Sequence, residues 1–251
     1  MEWSDDGIVL AARPHGEGAA VLSLLTRAHG RHPGLVRGAS GGLRRGFLQP
    51  GATVSACWRS RLADALGSYT CELKTAVSAT VLADRARLDA LAAACAVLET
   101  TLPEREPMSA VFLTAESLLA VLALAESWAA DYVRWELALL AELGYGLDLT
   151  QCAVTGATED LAYVSPRTGR AVTRTVGAPY RPKLLALPPF LTASGAPATA
   201  AEIGQGMALA GYFLERYVYG VRHQGLPAAR RRLAERFPVA DGGGANAASE
   251  G

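Results

Sequence analysis

Apolar and polar residues alternate along the first eighty positions, and near Val81 the spacing changes to three or four residues. The alternating part predicts five short strands. Gly7–Arg13 is the first, entered from an acidic turn at Asp5-Asp6, and Pro14–Gly18 turns the chain. Ala19–Thr26 is the second, and a turn at Arg27–Gly30 leads to the third, His32–Gly38. A glycine-rich loop, Gly38–Gly46, and a turn at Gln49-Pro50-Gly51 precede the fourth, Thr53–Arg61, with Val54, Ala56 and Trp58 on one face. Ser68–Ala76 is the fifth, alternating Tyr69, Cys71, Leu73 and Thr75 against polar neighbours.

Beyond Val81 the helical period predicts Asp84–Thr101, with Leu88, Leu91, Cys95 and Leu98 in register and Pro103 as the stop. Met108–Ala125 is the next helix, so apolar all round that full burial is expected. Ala129–Leu143 is a third, with Tyr132, Trp135 or Glu136, Leu139 and Leu143 on its stripe and Gly144 at its end. Thr150–Arg174 lacks a helical period. Turn residues at Thr155-Gly156 and Pro166–Gly169 make it a compact irregular or hairpin insert. Ala200–His223 and Pro227–Phe237 are the last helices, and Val239–Gly251 reads as a disordered tail.

Five evenly spaced strands joined by glycine turns predict a small β-barrel, with an OB-fold as a leading candidate. An SH3-like barrel, or a plain sheet with solvated arginines, is the competing reading. The expected class is α+β, in three parts: a barrel over 1–80, a mainly helical domain over 81–238 with an insert at about 150–180, and the 239–251 tail.

Charge changes the picture. The 251-residue chain is formally neutral, but Arg13, Arg27, Arg31, Arg37, Arg44, Arg45, Arg59 and Arg61 face a single acid, Glu17, between positions 13 and 61. Residues 82–149 invert the balance, with four basic against eleven acidic side chains. A basic patch on a small β-domain points to a polyanion, most often nucleic acid. Arg37, Arg44 and Arg45 flank glycines that let a backbone approach phosphates, and guanidinium binds phosphate bidentately. Arg13, Arg27, Arg31, Arg59 and Arg61 rank second. Trp58 and Tyr69 could stack bases, but their alternation places them in the core. Arg230, Arg231, Arg232 and Arg236 form a second basic cluster. It is either another anion site or a helix end complementing its own dipole.

No chemistry-bearing constellation emerges. Cys57, Cys71, Cys95 and Cys152 are scattered without a C-x-x-C pair, which argues against zinc and against a disulfide framework. His29 and His32 lack a neighbouring carboxylate or cysteine in sequence, and Gly144-x-Gly146 follows a helix instead of opening one. The chain opens without a signal peptide, and its most apolar run, Leu118–Ala125, is too short to span a bilayer. A cytoplasmic non-enzyme without cofactor or membrane partner is the expectation. An RNA-binding or ribosome-associated OB-domain protein is the rival reading, since charge alone does not separate DNA from RNA.

Several segments together resemble the bacterial RecO family. They are Asp6–Arg13 with His15-Gly16-Glu17, His29-Gly30-Arg31 leading to Val36-Arg37-Gly38, and Leu48–Gly51. Glu136–Asp148, running into Cys152-Ala-Val-Thr155, and Tyr212–Tyr217 complete the set. The likeness covers nearly the whole chain to about Phe237 and rests on order and spacing. It implies an N-terminal OB-fold, a helical domain, and an insert that carries a four-cysteine zinc module in some members. Here Thr155 stands where a cysteine partner would be, so the implied insert is zinc-less. The resemblance also implies binding of single- and double-stranded DNA, strand annealing, and RecA loading with RecR on DNA coated by single-strand binding protein. It implies a nucleoid-associated location and a contact with that protein's C-terminal tail, for which Arg134, Arg230 and Arg231 are the candidate residues.

Overall fold

A computed structural model describes residues 1–38, 48–62, 64–192 and 197–239. By packing, the chain divides into two compact units. One holds Met1–Glu126 with Pro227–Leu233, the other Ser127–Leu226 with the residues from Ala234 on.

The first unit is built on a closed five-stranded barrel: β1 (Glu2–His15), β2 (Ala19–Thr26), β3 (Gly30–Arg37), β4 (Ala52–Arg59) and β5 (Ser68–Ala76), in the order β1-β2-β3-β5-β4. All pairings are antiparallel except the short parallel closure at Leu35↔Ser68, where Leu35 N–H also donates to Gly67 O. This is an OB-fold barrel, and a helical chain follows it. Val9, Leu22, Leu24, Val36, Ala52, Val54, Ala56, Trp58 and Tyr69 fill the interior.

β1 starts five residues earlier than the alternation suggested. Asp5 and Asp6 are strand residues, paired with Ala56 and Ser55 of β4. Two acids beside a glycine look like a turn, but here each carboxylate has a partner. Asp5 Oδ2 accepts from Ala28 N–H at 2.7 Å and lies 3.4 Å from His29 Nδ1, and Asp6 meets Lys74 at 2.8 Å.

Helical structure begins with one turn, α1 (Val77–Thr80). It continues as α2 (Arg85–Thr101), N-capped by Asp84 accepting from Ala86 and Arg87, and α3 (Ser109–Leu124). α2 lies against β1, where its Leu91 contacts the position of Gly51, whose φ is +81°. The link from α2 to α3 crosses the start of β3. Arg105 N–H donates to Arg31 O, and Gly30 packs directly on the Glu106 carbonyl at φ +65°. A side chain at Gly30 is excluded by contact and by backbone conformation alike.

Full burial of α3 does not hold. Val111, Phe112, Ala115, Leu118, Leu119 and Leu122 are buried, whereas Leu113 is exposed and Leu124 is 83% exposed. A helix packed on one side needs only one stripe, and composition does not show which residues fall outside it.

The second unit contains α4 (Trp128–Glu142) and a three-stranded sheet, β6 (Leu161–Val164), β7 (Ala171–Thr173) and β8 (Leu185–Ala186), in the order β7-β6-β8. The irregular stretch is therefore a hairpin joined by a third strand. One turn, α5 (Arg174–Gly177), follows β7. α6 (Ala200–Leu214) opens with a Thr199/Glu202 capping box. It runs into a π-helical turn, Glu215–Tyr219, whose widened spacing shows in Gly220 N–H donating to Glu215 O. Leu140, Cys152, Val164, Ala171, Leu187, Leu209, Phe213 and Leu214 form its core. α7 (Ala228–Glu235), most of which belongs to the first unit, is the last helix of the described chain.

Candidate nucleic-acid interface

Residues directly opposite in neighbouring strands share a face, so register decides which arginines meet. On β1-β2-β3 the row Arg13–Val21–Leu35 and the next row His15–Ala19–Arg37 point out of the barrel. Arg13 and Arg37 thus frame a small apolar strip of Ala19, Val21 and Leu35, all half-buried, while both arginines and His15 are exposed. Arg37 closes β3. Arg44 and Arg45 lie outside the described residues.

Glu99 of α2 sits at the covered end of this wall. It accepts from Ser23 Oγ and from Arg13 Nη2 at 3.1 Å, and lies 3.8 Å from Arg31 Nη1. Arg13 is 71% exposed along its side chain, so one end is anchored and the rest faces solvent. Arg31 is only 15% exposed. Its Nε donates to Leu102 O at 2.9 Å and its Nη1 meets Glu104 at 3.3 Å. Arg27 lies 3.6 Å from Glu116 and 5.2 Å over the Phe112 ring. These two arginines hold the α2–α3 side of the unit.

The wall formed by β1, β4 and β5 is different. Its outward rows are Glu2–Arg59–Ser68, Ser4–Cys57–Thr70 and Asp6–Ser55–Glu72. Arg59 donates to Glu2 at 2.7 Å, which holds the Glu2 carboxyl below its ordinary range, and Arg61 follows β4 on the surface. The basic stretch is therefore distributed over three places. Arg13 and Arg37 share one wall, Arg59 lies on another, and Arg27 and Arg31 are engaged by the helical link.

Trp58 and Tyr69 are core residues, as their alternation indicated. They belong to an aromatic cluster at one end of the barrel, with Trp3 stacked on His29 at 3.9 Å and His32 edge-on to Trp58 at 4.9 Å. His32 Nδ1 lies 2.9 Å from Pro33 O, and the Tyr69 hydroxyl donates to His32 O at 3.3 Å. Burial, then the charge of Arg105, pushes the His32 pKa down to about 4.

In the second unit, Arg134 donates to Asp131 at 2.7 Å and to Phe190 O at 3.0 Å, with its guanidinium 5.3 Å over the Phe190 ring. Arg230 of α7, in the first unit, is 0% exposed, while Arg231, Arg232 and Arg236 face solvent. In the insert, Cys152 N–H donates to Ala157 O and Gly156 N–H to Cys152 O, and the thiol lies 3.8 Å from Thr173 Oγ1. Burial raises the thiol's pKa, but hydrogen bonds from the Thr155 side chain, Thr173 and the Thr155 and Val154 backbone outweigh it and bring it to about 6. Among the described residues no group of three or more His, Cys, Asp or Glu side chains could hold a metal, and no helix is long and apolar enough to cross a membrane.

Sequence reasoning missed Glu99, which orients Arg13. No local signal marks it, because 86 residues separate the pair.

The chain matches two family models, "Recombination protein O N terminal" over residues 1–76 and "Recombination protein O C terminal" over residues 82–227. It is 54% identical over 246 residues to a DNA repair protein RecO of Rhodospirillum rubrum, covering 94% of this chain and 96% of the relative. It is 53% identical to the RecO protein of Rhodospirillum centenum, covering 94% and 95%, and 46% identical to that of Caulobacter vibrioides strain NA1000, covering 96% and 99%. An OB barrel, a helical chain and two matched models that together span most of the sequence agree: the chain belongs to the RecO family of DNA repair proteins.

Proposed function

We propose that this protein is a DNA-binding recombination mediator of the RecF pathway. It anneals complementary strands and, with RecR, helps RecA load on single-stranded DNA coated by single-strand binding protein. The observation that carries the DNA contact is the outward wall of β1-β2-β3, where Arg13 and Arg37 border an apolar strip; in sequence Arg37 precedes the glycine-rich stretch with Arg44 and Arg45. Guanidinium groups neutralise phosphates while the strip receives sugars and bases. Annealing on such a surface needs no chemistry, because neutralising two strands lowers their repulsion and raises their encounter rate.

In this reading segment 1–80 meets DNA and 81–238 meets proteins. The tail of single-strand binding protein contacts Arg134, which has an aromatic neighbour in Phe190 and a guanidinium 41% exposed along its side chain. On α7, which belongs mostly to the first unit, Arg231 is exposed, whereas Arg230 is buried and contributes through the fold. A peptide of that tail is expected to bind, and to lose affinity on Arg134→Ala.

The deciding experiment anneals complementary oligonucleotides without ATP, with and without single-strand binding protein. Acceleration in both conditions supports the mediator. Absence of acceleration, together with tighter binding to RNA than to single-stranded DNA, supports the ribosomal or RNA-binding alternative. Changing Arg37, Arg44 and Arg45 to Ala should lower the slope of log affinity against log salt by about 2, at roughly 0.7 per phosphate on single strands.

A further inference from the structure

The second unit carries an aromatic ladder that runs from its core to its surface. Phe213 is fully buried; Tyr217 lies 5.8 Å from it at 20°, and Tyr145 lies 5.1 Å from Tyr217 at 4°, nearly parallel. Tyr145 is 39% exposed. It sits between Gly144, which has φ +88° and open space at its Cβ position, and Gly146, so no neighbouring side chain in sequence shields the ring.

The local backbone departs from regular helix to make this arrangement. The π-helical turn Glu215–Tyr219 adds a residue to the end of α6, and Tyr217 lies in it. Arg216, exposed in the same turn, donates to Tyr212 Oη at 3.0 Å and lies 5.7 Å from the Tyr217 ring centre. Beside the ladder, the Gly169 turn packs on Leu147 and approaches Phe213, and Arg170 bridges to Asp148 at 3.3 Å.

We propose that Tyr145 is a stacking site for an unpaired base of single-stranded nucleic acid, outside the barrel, with Arg216 placed to meet the adjoining phosphate. A fourth ring added to the ladder continues a series of parallel rings, and every base has a π-face to offer. An exposed tyrosine face backed by two further rings suits a planar base, and exposed Arg216 beside Tyr217 supplies a cation for one phosphate. The site adds to the nucleic-acid reading of the family without resting on the barrel arginines.

The test is photo-cross-linking of the full chain to oligothymidylate carrying 5-iodouracil, with cross-linked residues mapped by peptide mass spectrometry at low salt and at 0.5 M salt. The expected result is a cross-link at Tyr145 that outlasts salt better than cross-links to barrel peptides. In parallel, Tyr145→Leu should weaken oligonucleotide binding about 10-fold, the scale of one lost base stack, while Tyr145→Trp retains it. Matching thermal melts of the two variants show that the fold is intact. Cross-links confined to barrel peptides, or wild-type oligonucleotide affinity in Tyr145→Leu, overturn the site and leave the barrel reading standing. Wild-type oligonucleotide affinity combined with loss of a protein partner in Tyr145→Leu makes the face a protein-docking surface and overturns the proposal. No cross-link anywhere overturns both readings.

Discussion

The barrel's two outward walls contain similar numbers of cationic side chains and differ in what surrounds them. On β1-β2-β3, Arg13 and Arg37 border Ala19, Val21 and Leu35, and the wall's buried acid, Glu99, holds one end of Arg13. On β1-β4-β5, Arg59 faces Glu2, Lys74 faces Asp6, and Glu72 adds a further acid. A phosphate approaching the second wall must displace a carboxylate at each cation and meets repulsion from the rest. Arginine number does not define a polyanion surface; the register that places acids beside arginines does.

The largest effect expected from breaking this arrangement comes from Gly30. Gly30→Ala forces a Cβ into the Glu106 carbonyl at positive φ, and should cost about 3 kcal/mol or more in chemical denaturation. It detaches the α2–α3 link from β3 and so loosens the support of the first wall while the register of the second survives.

Acid acts on both walls alike, through the barrel interior. The His32 pKa is lowered from 6.5 to about 4, so the folded state prefers the neutral ring. The unfolded chain binds the proton first as pH falls. Stability is therefore lost between pH 6.5 and about 4, by up to about 3 kcal/mol, and no further below that. His32→Gln should flatten that slope in denaturation curves taken from pH 7 to 4, whatever its effect at neutral pH.

A smaller change separates the walls. Glu99→Gln removes the carboxylate that anchors Arg13 and faces Arg31. Arg13 is then released from that carboxylate, and affinity for single-stranded DNA should rise two- to threefold, on the scale of a mostly exposed ion pair. The matching change on the other wall, Glu2→Gln, should raise affinity less, because Asp6 and Glu72 remain.

Much of the fold was legible in the sequence where local pattern and tertiary pairing agree. β2 and β5 begin and end where the alternation placed them, and α2 starts at the Asp84 cap. The start of β1 was not legible, because Asp5 and Asp6 are stabilised by Ala28, His29 and Lys74, residues distant in sequence. The one-sided burial of α3 was hidden for the opposite reason. An apolar helix carries no polar stripe to reveal its outer face, and Leu113 and Leu124 look like core.

The candidate site shows the same division. The basic character of the stretch from Arg13 to Arg61 is local and was readable. Its partition between the β1-β2-β3 wall, the β1-β4-β5 wall and two arginines engaged by the helical link depends on Glu2, Glu99, Glu104 and Glu116, three of them beyond residue 80. The ladder through Tyr145 and Tyr217 is likewise invisible in sequence, since 72 positions separate two rings that stack at 5.1 Å.

The difference between the walls is tested most directly by measuring single-stranded DNA affinity against salt for Arg13→Ala/Arg37→Ala and for Arg59→Ala/Lys74→Ala. Each pair removes two cations. The first should lose about tenfold in affinity or more at low salt and lower the salt slope by about 1.4, while the second stays within about twofold of the parent with its slope unchanged. Equal losses in the two pairs, or a larger loss in the second, would contradict the assignment of the β1-β2-β3 wall as the DNA face.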